Sequence, residues 1–207
     1  MVRESEKKAR RHKNIIFLVA FLFAIITFAV TYILKSAFVA DFLFETIAVV
    51  IFYVVERKYP APIHAIIVGF LPILLSFGGV FGLFGVTLFG IGYDKYAHFF
   101  FAFCASYLLY FMLTARKRTH RILKMIAVVL IIIGLGAINE INEFVGSAYL
   151  HQNNAGMFSM GDELPPSTAD LQRYDTQWDM IFNTFGSVSA ILLVAVADRI
   201  RQQKVKK

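Results

Sequence analysis

Six runs of about twenty apolar residues limit what this chain can fold into. They fall at 15–34, 38–55, 63–81, 95–114, 123–145 and 178–197 of the 207 residues. Each has the length a helix needs to cross the ~30 Å hydrocarbon core of a bilayer. Inside lipid, every backbone N–H and C=O of such a run has to be satisfied within the run itself, which leaves the α-helix as its form. The expected fold class is therefore all-α, a polytopic integral membrane helical bundle of six transmembrane helices in a single domain over 1–207. Within it, 1–14 is a basic tail, 15–197 is the bundle with a long loop at 147–173, and 198–207 is a second basic tail. Hydrophobic residues make up 58% of the chain, above the ~45–50% of soluble domains. The first run is longer than the apolar core of a secretory signal, and no small-x-small site follows it, so it is expected to stay as a helix.

The basic residues test the span count. Six helices would put the N-terminal segment, 56–62, 115–122 and the C-terminal segment on one face. With flanking residues these hold six, two, five and five Lys/Arg, 18 of the chain's 21. Lys35, Lys95 and Arg173 remain on the other face. That asymmetry predicts cytoplasmic N- and C-termini in a multi-pass plasma-membrane protein. It also accounts for the net charge of +7 as a topology signal, so nucleic acid is not an expected partner. The lone cysteine, Cys104, excludes an internal disulfide and a thiolate metal cage. Phe77 to Gly92 holds six glycines, too many for a helix interior, and predicts a loop at the membrane interface.

Placing the acids on this topology brings them to one depth. Asp41 and Glu45 open span two, and Asp94 and His98 open span four, each pair four residues apart. Glu140 and Glu143 close span five, and Asp175 and Asp179 open span six, with Asn183 one turn further in. Residues four apart share a helix face, so four spans each bring a polar pair to the outer end of the bundle. Ionisable groups inside a membrane mark a functional site by default. So many carboxylates cannot all stay charged in a small volume; protonation, solvent, Lys95 and Arg173, or a bound cation must offset them. Oxygen ligands with one imidazole suit Mg, Mn, Fe or Zn without choosing among them. The expected metal ligands are His98, Glu140, Glu143 and Asp179, with Glu143 and Asp175 as catalytic carboxylates and Asp41, Glu45, Asp94 and Asn183 in support. Each residue also has a plainer reading: Asp94 and Asp175 as helix N-caps, His98 as a hydrogen-bonded core histidine, and Asn183 as a bond between helices.

Three blocks carry a resemblance: Tyr93-Asp94-Lys95-Tyr96-Ala97-His98-Phe99, Asn139-Glu140-Ile141-Asn142-Glu143, and Tyr174-Asp175-Thr176-Gln177-Trp178-Asp179-Met180. In that order they resemble the YjdF-like inner-membrane proteins and, more distantly, the VanZ-like superfamily, over about residues 38–197. The resemblance implies a bacterial plasma-membrane protein whose motif positions include Asp94, His98, Glu140, Glu143, Asp175 and Asp179. The VanZ branch is associated with glycopeptide resistance.

Three functions fit the residues. A divalent cation could activate water against a lipid headgroup or envelope precursor at the outer leaflet. The acids could instead couple protons or cations to a solute, although they crowd one face and no inverted repeat is visible. In the third reading the polar cluster is structural, in a membrane binding or scaffold protein.

Overall fold

Proline and glycine divide the apolar runs into separate helices. The computed structural model describes residues 2–34, 39–80, 83, 86–115, 120–150 and 175–205. Among them are six helices: α1 (Val2–Ile33), α2 (Val39–Lys58), α3 (Ile63–Val80), α4 (Tyr93–Thr114), α5 (Arg121–Leu150) and α6 (Asp175–Val205). Pro60 and Pro62 separate α2 from α3. Proline has no N–H to continue a ladder but serves well at a helix start, and the Pro62 carbonyl accepts the N–H groups of Ala65 and Ile66 at 3.0 and 3.2 Å. Most of the loop expected over 147–173 lies outside the described residues, as does Arg173; α5 continues as helix to Leu150.

Among the described residues, four stretches are long and apolar enough to cross a membrane: Glu4–Ile33, Tyr93–Thr114, Arg121–Ile141 and Thr176–Lys204. In α3 the apolar stretch Ile63–Gly78 is shorter. Charged residues stand at both ends of α2, Asp41 and Glu45 at one and Glu56, Arg57 and Lys58 at the other. The basic tails are not loops. α1 begins at Val2 and α6 continues to Val205, so each terminal helix extends beyond its apolar run. Lys13 on this extension pairs with buried Glu56 of α2 at 2.6 Å.

Contacts between helices fix their directions. Phe17 meets Tyr53, and Lys13 meets Glu56, so α1 and α2 are antiparallel. Phe17 also packs on Phe70 and Phe23 on Phe77, so α1 and α3 are parallel. His64 meets Phe111 edge to face, while at the other end the Tyr93 hydroxyl donates to the Leu75 carbonyl at 2.8 Å, so α3 and α4 are antiparallel. Arg121 pairs with Asp198 at 3.0 Å and Gly136 abuts Asn183, which makes α5 and α6 antiparallel. Lys95 reaches Asp179 and Ser106 bonds Ser187, so α4 and α6 run the same way. The helices alternate up and down in chain order. The end holding Asp94, Lys95 and Asp179 is opposite the end holding Arg57, Lys58, Arg121 and Lys204.

Among the described residues, two buried clusters form the core. One joins Phe17, Val49, Ile66 and Leu108 of the first four helices; the other joins Ala102, Tyr110, Val128, Ile132, Ile191 and Val194 of the last three. α4 is common to both. Outward faces are apolar as well: Leu18, Ile26, Leu130 and Leu192 are each more than half exposed. Thr31, Ser106, Asp179 and Ser187 meanwhile lie buried. Large apolar surfaces around a partly polar interior suit lipid as the surrounding solvent.

Part of the glycine-rich segment is a small hairpin, β1 (Thr87–Leu88) against β2 (Ile91–Gly92). Its two turn residues, Phe89 and Gly90, have φ of 52° and 77°, the signs that a type I′ turn requires. Phe89 projects from the tip and is 98% exposed. The hairpin is tied to α4 by the Tyr93 N–H to the Val86 carbonyl (2.9 Å) and the Tyr96 hydroxyl to the Leu88 carbonyl (3.0 Å).

Candidate functional site

The site grows from the start of α4. Gly92 is the N-cap, with extended φ and ψ of −64° and 147° and no side-chain capping bond. Asp94 therefore falls in the first turn and is not the cap. A carboxylate there is favoured by the positive end of the helix dipole. Its neighbour Lys95 is buried, and one turn below Asp94 stands His98. α6 runs parallel beside α4 and contributes Asp179, whose side chain is 1% exposed. The close approach depends on Gly186: a Cβ at that position would run into the backbone carbonyl of Phe99.

Four charged or ionisable side chains converge there. Lys95 Nζ donates to Asp179 Oδ1 at 2.7 Å and to Asp94 Oδ2 at 3.0 Å. His98 Nε2 stands 3.5 Å from Asp94 Oδ1 and 3.5 Å from Asp179 Oδ1, inside ion-pair range but longer than a firm hydrogen bond. Exposure decreases inward: Asp94 is 32% exposed, His98 14% and Lys95 6%. Asp94 is thus the rim of the site and Asp179 its floor. One Asp94 oxygen, one His98 ring nitrogen and one Asp179 oxygen all lie within 4.8 Å of one another. Two donors held about 2.1 Å from a zinc-sized ion at the tetrahedral angle would stand about 3.4 Å apart, close to both histidine–carboxylate separations. The donor set suits a first-row divalent ion.

Asn183, one turn inward from Asp179, is buried against α5. A Cβ on Gly136 would come within 2.7 Å of its Nδ2, and that nitrogen makes no hydrogen bond among the described residues. The Gly136–Asn183 and Arg121–Asp198 pairs give one antiparallel register. Counted one turn outward from Gly136 and Asn183, it brings buried Glu140 level with Asp179.

Of the residues expected to bind metal, His98 and Asp179 come together, and Asp94, expected in support, joins them as a third donor. Glu140 and Glu45 are not part of a three-donor group among the described residues. Glu45 is half-buried on α2, which packs chiefly on α1. Glu143, Asp175 and Asp41 belong to α5, α6 and α2, and their side chains lie outside what is described. Lys95 was legible as a nearby positive charge, but not as the bridge between two helices. Its signal in the sequence is a lysine at the otherwise lysine-poor end of an apolar span, directly beside Asp94.

No curated protein and no solved structure matches the chain. Residues 13–199, from within α1 to within α6, match the family described as predicted membrane protein (DUF2238), and the chain belongs to that family.

Proposed function

We infer that the Asp94–His98–Asp179 group binds a divalent cation at the outer end of a six-span plasma-membrane bundle and hydrolyses or modifies a lipid headgroup or envelope precursor there. The observation that carries this reading is the convergence of two carboxylates and an imidazole from two helices within 4.8 Å. The up-and-down alternation, with the basic ends gathered opposite the site, supports cytoplasmic termini and a site opening outward. The YjdF-like character, and the more distant VanZ-like one, belong to the same reading. A bound cation would polarise an ester or activate water. Glu140 is level with Asp179 as a further ligand, and Glu143 and Asp175 are proposed as the acid–base pair from their place in the sequence.

Protein purified without chelators should carry about one metal ion per chain. His98→Ala and Asp179→Asn should lose it, while Glu4→Ala, at the far end of the bundle, should keep it. Metal-free wild type after such a purification, or equal metal in all four proteins, contradicts the reading.

One observation favours a second reading, a proton- or cation-coupled carrier. Polar contacts continue along the α4–α6 seam, through the Ser106–Ser187 bond at 2.7 Å to the Tyr110–Asp198 bond at 3.2 Å. Solute flux into proteoliposomes that collapses in Ser187→Ala would favour the carrier over the hydrolase.

A further inference from the structure

We propose that the 87–92 hairpin is a lipid-docking element, with the Phe89 ring seated among the upper acyl chains of the leaflet at the Asp94 end of the bundle. The inference adds a membrane contact beside the site and stands whether or not a metal binds there. The hairpin lies between two membrane segments: the apolar stretch Ile63–Gly78 precedes it, and the span Tyr93–Thr114 starts directly after β2. It is thus held where a helix passes from headgroups into hydrocarbon. Tyr93 and Tyr96 beside it are of the residue type that gathers at that level. Composition agrees. No Asp, Glu, Lys, Arg or His occurs from Ala65 to Tyr93, and Val86 and Leu88 are exposed next to Phe89. An apolar surface without charges marks a contact with protein or membrane. A six-residue hairpin is too small for the ~800 Å² that each partner gives to a stable protein interface, so lipid is the occupant it fits.

The turn and the backbone carry the argument further. Phe89 holds a φ of 52°, a left-handed conformation that costs phenylalanine more than glycine or asparagine. In water the ring would gain nothing from this position, being 98% exposed. Among acyl chains almost its whole surface leaves water. Strain persists where the surroundings offset it, and lipid does so here. Near hydrocarbon, backbone groups also have to be satisfied by the protein itself. The Val86 N–H donates to the Leu83 carbonyl at 2.9 Å, and the Tyr93 N–H to the Val86 carbonyl at 2.9 Å. The Tyr96 hydroxyl donates to the Leu88 carbonyl at 3.0 Å, and the two strands pair with each other. The turn's own backbone stays at the headgroup boundary, and only the ring goes deeper. Because two of these bonds come from the first turn of α4, the docked hairpin also fixes the depth of Asp94.

The test uses the full chain in phosphatidylcholine vesicles. Trp178 is the one tryptophan, so the double variant Trp178→Phe/Phe89→Trp reports fluorescence from position 89 alone. Lipids brominated on the near or the far part of the acyl chain are compared with iodide in the water on both sides of the membrane. Bromine on the near part should quench the emission several-fold more than iodide, and more than bromine on the far part. Quenching by iodide with none by bromine puts the ring in water and overturns the inference. Protection from both puts it against protein, a second copy included, and overturns it equally. If that variant does not reconstitute, Phe89→Cys in the Cys104→Ser protein, carrying a nitroxide, decides by electron paramagnetic resonance. A nitroxide relaxed more by oxygen than by a water-soluble nickel chelate supports lipid docking; one relaxed no more by oxygen than by the chelate overturns it.

Discussion

Asp179 and Lys95 are each nearly sealed from solvent, with side chains 1% and 6% exposed, and they pair at 2.7 Å. A buried ion pair gains little over an apolar pair, but removing one partner strands a charge and costs roughly 3–5 kcal/mol. Asp179→Ala should therefore lower stability by about that amount, and the double variant Asp179→Ala/Lys95→Met should recover a large part of it. Unfolding followed by circular dichroism in detergent measures both. A double variant no better than Asp179→Ala would mean the pair is not coupled. The sequence made part of this site legible. Asp94 and His98 are four apart, and Asp179 lies in an apolar segment where a charge is conspicuous. It did not make the pairing legible. Helical spacing reports which residues share a face, whereas the 2.7 Å contact from Lys95 to Asp179 depends on how closely two helices approach.

At the scale of the element, that approach depends on one missing Cβ. Gly186 sits against the Phe99 carbonyl, and backbone cannot swing aside as the end of a long side chain can. Gly186→Ala should force α4 and α6 apart at a cost of about 1–3 kcal/mol. It should also weaken metal binding, although Gly186 is none of the donors. Thermal unfolding and metal content read the two effects; loss of neither would contradict the packing. The helices themselves were legible because an apolar run in lipid has few alternatives. Their ends were not. The charged residues before Ile15 and after Ala197 read as tails, yet α1 and α6 run on through them, helped by the Lys13–Glu56 pair. The 87–92 hairpin was hidden for a different reason: its turn uses a phenylalanine at φ 52°, where sequence patterns lead one to expect glycine or asparagine.

Across the whole molecule, alternation of the six helices decides which chemistry meets which. Because α4 and α6 run in the same direction, the beginnings of both come to one end, and their acids meet there. The return helix α5 brings Glu140 to the same level from its far end. The basic residues gather at the opposite end, a separation that was legible in the distribution of Lys and Arg alone. A shift of either helix by one turn would move Asp179 by about 5.4 Å and dissolve the group. The register is also reported two turns below the site, where Ser106 Oγ and Ser187 Oγ are 2.7 Å apart in the buried seam. With the single native cysteine replaced (Cys104→Ser), the pair Ser106→Cys/Ser187→Cys should close an intramolecular disulfide on mild oxidation in the membrane. Mass spectrometry should find both thiols protected from alkylation within one chain. Thiols that stay open to alkylation, or that join only between chains, would contradict the parallel packing of α4 and α6 on which the site rests.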